Sequence, residues 1–179
     1  PRHWFIDPEF DSWAYKDQAF KIDADQTISQ PYTVAFMTQL LDVKPSDKIM
    51  EIGTGSGFQA AILHELGAKV YTIERYEVLH KKATELLEKI GFKGVRTLYG
   101  DGYLGSPRFA PFDKIIVTAG AENIPNILLQ QLKVGGIMVL PSGEYNEKKM
   151  LKITKKSETE INVEDHGEFV FVPFLKGVS

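Results

Sequence analysis

The chain has 179 residues, of which 43% are hydrophobic, and its 21 Lys and Arg against 24 Asp and Glu give a net charge of -3. This length and composition fit one domain with a full apolar core, and the mildly acidic balance argues against a general binder of nucleic acid, which is usually basic. The absence of cysteine excludes disulfides, thiol nucleophiles and thiolate zinc sites and fits a reducing compartment, while the apolar runs fall short of the roughly 20 residues that span a bilayer.

Residues 1–30 show no clean period, and their aromatic side chains predict a packed, partly irregular flap. From residue 31 onward apolar runs alternate with amphipathic ones, which predicts a doubly wound, Rossmann-like and mostly parallel α/β core over 31–179. The flap and this core are expected to form a single domain over 1–179. The predicted helices lie at 34–41, 58–66, 78–90 and 123–132, and the predicted strands at 49–52, 69–74, 95–99, 114–118 and 137–140. Three further runs, 150–156, 159–165 and 168–174, have no helix between them and are expected to add antiparallel strands at one edge of the sheet.

The stretch after the first strand of this sheet is rich in glycine. The strand 49–52 runs into glycines at positions 53, 55 and 57, and a helix follows at once, which is how α/β proteins form a nucleotide site. A dinucleotide fingerprint places its third glycine where this chain has Phe58. Glu51 within the strand suits a ligand with a positive amino group, so the loop favours S-adenosylmethionine over NAD, with Thr54 lying inside it.

Two acids follow later strands at the same predicted edge. Glu74 ends the second strand, where a carboxylate can accept hydrogen bonds from both ribose hydroxyls; a solvated acid at the start of a helix is the alternative. Asp101, between Gly100 and Gly102, is placed to accept from an adenine amino group, and an ordinary Asp-Gly turn is the alternative. Asp113 lies at the amino end of its strand and is expected to be structural.

Other motifs are weaker. Thr27 and Ser29 precede Pro31, and by residue type alone a Ser or Thr that caps the next helix is favoured. The histidines lack helical metal-ligand spacing, so no metal site is predicted. Ser56 lacks the spacing of a nucleophile elbow, which argues against a serine hydrolase. The small side chains at 118–121 leave room for a substrate.

The chain from Pro1 to Leu175 resembles the protein-L-isoaspartate (D-aspartate) O-methyltransferase family. The segments that carry the resemblance are the opening Pro-Arg-His-Trp-Phe, the substrate signature Thr-Ile-Ser-Gln-Pro at 27–31, the loop 51–57, and the blocks 100–102, 110–113, 132–136 and 170–175.

The resemblance implies roles for individual residues. Ser29 would be the active-site serine, and Thr27 and Ile28 would line the cofactor and the peptide. The further residues that would hold S-adenosylmethionine are Glu51, Gly53, Thr54, Gly55, Glu74, Asp101 and Gly102.

The resemblance also implies the reaction and its setting. The enzyme would methylate the α-carboxyl of L-isoaspartyl and D-aspartyl residues in damaged proteins and leave S-adenosylhomocysteine as product. We expect a cytoplasmic monomer that binds neither nucleic acid nor membrane. The alternatives are a methyltransferase acting on RNA or a small molecule, and a cofactor-binding module without activity.

Overall fold

The computed structural model describes residues 1–144 and 147–179. Its core is a sheet of seven strands in the order β5-β4-β3-β6-β7-β8-β9. The strands are β3 (Lys48–Ile52), β4 (Lys69–Glu74), β5 (Arg96–Tyr99), β6 (Phe112–Val117), β7 (Leu132–Ser142), β8 (Glu147–Lys155) and β9 (Ile161–Val170). The pairs from β5 through β7 are parallel, and β7 with β8 and β8 with β9 are antiparallel. The predicted α/β fold with antiparallel strands at the C-terminal edge is therefore confirmed.

Helices cover both faces of this sheet. They are α1 (Pro31–Leu41), α2 (Phe58–Glu65), α3 (Glu77–Lys89) and α4 (Asn126–Gln131). Because successive side chains of a strand point to opposite faces, Met50 and Ile52 join one apolar cluster, and Ile49 joins a second cluster that contains Met37 of α1. Among the described residues no helix is both long and apolar enough to cross a membrane.

The C-terminal edge differs from the prediction of three added strands, since two strands, β8 and β9, are found there. The pairing passes from Lys149 opposite Glu168 to Leu151 opposite Asp165. Met150 thus lies opposite two residues, His166 and Gly167, which form a β-bulge. Because a strand can continue through a bulge, the predicted strands 159–165 and 168–174 are replaced by the single strand β9. Beyond Val170 the ladder stops, and Pro173, which lacks an amide hydrogen, makes only an isolated bridge to Gly120.

The N-terminal residues form a packed layer over α2 and α3. Two 3-10 helices, Arg2–Phe5 and Pro8–Trp13, precede a hairpin of β1 (Phe20–Lys21) and β2 (Thr27–Ile28). The layer shares an apolar cluster with α2 and α3, in which the rings of Phe5 and Phe58 lie 5.3 Å apart. This packing places β2 beside the carboxyl ends of the central strands.

Candidate cofactor and substrate site

A cavity of about 560 Å³ opens at the carboxyl ends of β3, β4 and β6. This is the edge at which α/β sheets bind their ligands. The residues that line it are Gln26, Thr27, Ile52, Gly53, Gly55, Ile73, Glu74, Arg75, Tyr76, Gly102, Thr118, Ala119, Val172, Pro173, Phe174 and Leu175. Of the predicted cofactor residues, this cavity brings together Thr27, Gly53, Gly55, Glu74 and Gly102.

The glycine loop is packed closely against its neighbours at Gly53. Gly53 has φ of +94°, and a Cβ there would lie 2.5 Å from the Thr118 hydroxyl. That hydroxyl donates to the carbonyls of Ile52 and Gly53, at 3.0 and 2.8 Å. A Cβ on Gly102 would lie 2.4 Å from Ile52 Cγ2. The loop is thus a backbone cradle with its floor fixed by Thr118.

Glu74 is fixed in place by the main chain around it. Its Oε2 accepts from the amide of Gly55 at 2.9 Å and its Oε1 from the amide of Tyr76 at 3.0 Å. Each carboxylate oxygen can accept a further hydrogen bond. A carboxylate held in this way at the cavity wall is suited to the predicted ribose diol.

Glu51 is fully buried, and neither of its carboxyl oxygens has a hydrogen-bond partner among the described residues. Burial raises the pKa of Glu51 to about 8; the nearby Thr72 hydroxyl opposes that rise and the charge of Glu74 adds to it. The residue faces a neighbouring cavity of about 380 Å³, which Thr54, Ile28 and Ser29 also line. Burying an unpaired carboxyl is costly, so this site would gain from a ligand that brings a cation.

Ser29 follows β2 directly and opens onto a third cavity, which Thr27, Gln30, Thr33 and Thr118 also line. Its hydroxyl makes no hydrogen bond within the described residues. The residue-type interpretation of Thr27 or Ser29 as a helix cap is wrong, because α1 begins at Pro31 with Gln30 at the N-cap and without a side-chain cap. The Asp17 carboxylate instead accepts from the amide of Tyr32 at 2.8 Å.

Asp101 lies at the expected strand end, and two main-chain amides hold its carboxylate. One oxygen accepts from the amide of Tyr103 and the other from the amide of Gly177, both at 2.8 Å. Its neighbour Gly102 lines the cavity, whereas Asp101 is not among the lining residues. The adenine contact of Asp101 stays a prediction. Asp113 binds the amide of Lys48 and the ammonium group of Lys133, which fits its structural assignment.

Sequence reasoning missed some residues of the site. Three such residues, Gln26, Arg75 and Tyr76, line the glycine-loop cavity. Arg75 and Tyr76 directly follow Glu74, so their position after the end of a strand could have predicted a place in the site. Arg2 donates to the Ser29 carbonyl at 2.7 Å across 27 positions of sequence. No local sequence pattern predicts that contact.

Comparison with known proteins agrees with the fold. The sequence profile of the family described as protein-L-isoaspartate(D-aspartate) O-methyltransferase matches residues 1–179. Relatives named protein-L-isoaspartate O-methyltransferase include one from Flavobacterium psychrophilum, 53% identical over 98% of this chain and 82% of its own, and one from Dictyoglomus turgidum, 49% identical over 99% and 80%.

Solved structures of proteins with these names have the same fold as this chain. A protein-L-isoaspartate O-methyltransferase superposes with a TM-score of 0.86 at 27% identity; the match covers 97% of this chain, which spans only 57% of that longer protein. A putative enzyme of the same name from Plasmodium falciparum, in complex with S-adenosyl-L-homocysteine, superposes with a TM-score of 0.82 at 24% identity, covering 98% of this chain and 86% of its own.

Proposed function

Because the chain belongs to the protein-L-isoaspartate(D-aspartate) O-methyltransferase family, we propose that it methylates the α-carboxyl of L-isoaspartyl and D-aspartyl residues in damaged proteins. The methyl donor is S-adenosylmethionine, and S-adenosylhomocysteine is the product. The resulting methyl ester cyclises without the enzyme, which begins repair of the damaged protein.

One observation carries the proposal: the glycine-loop cavity and the Ser29 cavity share three lining residues. Thr27, Thr118 and Val172 line both of them. A donor in one cavity and a carboxylate in the other would therefore meet at these three residues. Holding two reactants together is the main requirement of a direct transfer.

The residues around the first cavity fit the donor. The backbone of Gly53 and Gly55 lines the cavity. Glu74, held by the amide of Gly55, would accept from the ribose. The unpaired buried carboxyl of Glu51, in the neighbouring cavity, would bind the amino group. Thr27, Ile28, Thr54 and Gly102 complete the walls of these cavities. We assign Asp101 to the adenine end through the position of its strand.

The donor, when bound, supplies a methyl group on a positively charged sulfur. The acceptor needs no general base, since a carboxyl with a pKa of about 3.5 to 4 is ionised by roughly a thousand to one at pH 7. A carboxylate oxygen forms the new bond to the methyl carbon, the carbon–sulfur electron pair stays on sulfur, and no proton moves. The task of the protein is therefore to align the groups and to exclude water.

Ser29 is the residue that we assign to the acceptor. Its hydroxyl, free of partners in the described structure, would donate to one carboxylate oxygen and leave the other to react. Val172 and Phe171 form the opposite wall of its cavity. These side chains would keep water away from the transfer.

The direct test offers tritiated S-adenosylmethionine with an isoaspartyl peptide and with its normal aspartyl twin. Label on the isoaspartyl peptide alone is the expected result. Bound cofactor with label on neither peptide would point to a binding module without activity, and label on an RNA or a small molecule instead would point to another methyltransferase. A cytoplasmic location and a monomeric state remain predictions.

A further inference from the structure

The Ser29 cavity continues into an open groove along the end of β9. Gln30, Thr33 and Val170 line both spaces, and the groove extends to Tyr32 and residues 166–169, with a volume of about 1080 Å³. A protein substrate must carry its chain away from the reacting carboxylate on at least one side. The groove is a path for that chain.

Beside the groove lies a stack of three aromatic rings, here called the aromatic ledge: Tyr32, Phe36 and Phe169. Tyr32 and Phe169 line the groove, and Phe36 packs behind them. The Tyr32 ring lies 5.7 Å from that of Phe36 and 6.4 Å from that of Phe169, with interplanar angles of 12° and 5°. Phe36 and Phe169 are 5.5 Å apart. Rings already ordered in this way lose little conformational freedom when another apolar group packs against them.

Core packing explains two of these rings and leaves the third without a role. Phe36 and Phe169 pack against the apolar cluster that closes the seam between α1 and the sheet. Tyr32 is not part of that cluster and is 54% exposed, and Val170 beside the groove is 80% exposed. Exposed apolar groups gathered beside a substrate cavity are typical of a contact surface.

The main chain of β9 adds a second element. Within the described sheet β9 is an edge strand, paired only with β8. The groups on its open edge are free to pair with an extended peptide, as in recognition by strand addition. The bulge at His166 and Gly167 lies in the part of β9 that lines the groove, and a bulge increases the local twist of its strand.

We propose that the aromatic ledge binds an apolar or aromatic side chain of the substrate, within about three residues of the isoaspartyl position. The inference rests on the proposed function and adds a preference for flanking residues to it. Stacking on an ordered ring is worth about 0.5 to 1.5 kcal/mol, so a peptide with such a flank should be preferred over its glycine counterpart by about 2- to 12-fold in kcat/KM.

The experiment measures kcat/KM for isoaspartyl peptides that differ only in one flanking residue, Phe or Gly, scanned over three positions on each side. Wild type and Tyr32→Phe should prefer Phe at one or more positions, and Tyr32→Ala should give equal kcat/KM for the Phe and Gly peptides within the error of the measurement. Tyr99→Ala is the control, because Tyr99 is similarly exposed, at 45%, but lies on β5 at the other edge of the sheet.

The glycine peptides separate this inference from the one it rests on. If wild type methylates them but shows no preference at any position, or if Tyr32→Ala keeps the preference, the ledge is not a substrate contact. If wild type methylates none of the peptides, the proposed function itself fails, and the ledge assignment fails with it.

Discussion

Arg2 Nη1 donates a hydrogen bond of 2.7 Å to the main-chain carbonyl of Ser29. The guanidinium is 2% exposed, and its Nη2 donates to the Gln18 carbonyl at 3.1 Å. It lies over the rings of Phe58 and Phe20, at 5.4 and 5.9 Å. Arg2 thus joins the N-terminal layer, the first turn of the cofactor-loop helix and the backbone of the serine that we assign to the substrate.

We expect Arg2→Met to lower kcat for isoaspartyl peptide by about 10- to 100-fold, since a charged hydrogen bond of about 1.5 to 3 kcal/mol that positions Ser29 is lost. The dissociation constant of S-adenosylhomocysteine should change less than threefold. Both are measured below the unfolding temperature of the variant. Arg108→Met is the control, because Arg108 is exposed and also lies over a phenylalanine ring, that of Phe109. Wild-type turnover of a folded Arg2→Met would remove the positioning role.

Ser29→Ala tests the acceptor side alone. The variant should methylate isoaspartyl peptide about 10- to 100-fold more slowly, because it loses one hydrogen bond to a charged group. Cofactor affinity by calorimetry should stay near the wild-type value, because the hydroxyl is assigned to the carboxylate. Ser157→Ala, in the turn between β8 and β9, serves as the matched control. Unchanged turnover in Ser29→Ala would contradict the assignment.

The contrast between Arg2 and the glycine loop explains what sequence reasoning can reach. The loop is local: a strand, three glycines and a helix lie within about twenty residues, so the pattern predicts its place and ligand class. Ser29 looks like a cap in sequence because Ser is common shortly before the first turn of a helix. The structure differs because Ser29 follows β2 and the N-cap of α1 is Gln30. The contact between Arg2 and Ser29 depends on tertiary packing, and the hydrophobic periodicity of the sequence does not predict it.

Gly53→Ala tests the cradle, and Gly91 offers a matched control. Both glycines have φ near +100°, but a Cβ at Gly91 meets nothing within 4 Å. Gly91→Ala should therefore cost only the backbone strain, about 1 to 2 kcal/mol of unfolding free energy, and leave cofactor affinity unchanged. Gly53→Ala should cost more and weaken S-adenosylhomocysteine binding at least tenfold, because its methyl group displaces Thr118. Equal behaviour of the two variants would mean that the loop is not a close-fitting cradle.

The buried carboxyl of Glu51 should make the ligand-free protein less stable as pH rises. Burial raises its folded-state pKa from 4.5 to about 8, so between those values the folded state holds a proton that the unfolded state has lost. Stability then falls as pH rises through this window, by up to about 1.4 kcal/mol per unit. Urea unfolding at pH 6.0 and 7.5 should show wild type losing about 2 kcal/mol more than Glu51→Gln. A pH-independent difference would show that Glu51 is ionised in the folded state.

Ligand binding should release that proton. An amino group brought beside Glu51 favours the carboxylate, so its pKa falls when S-adenosylhomocysteine binds. At pH 7 a group with a pKa near 8 is about 90% protonated, and we expect wild type to release close to one proton per ligand. The measurement is the binding enthalpy in two buffers of different ionisation enthalpy, whose slope gives the proton count. Glu51→Gln should bind more weakly and release none from this position. A slope that is the same in both proteins would mean that the ligand amino group lies elsewhere, even if the cofactor binds and the enzyme turns over.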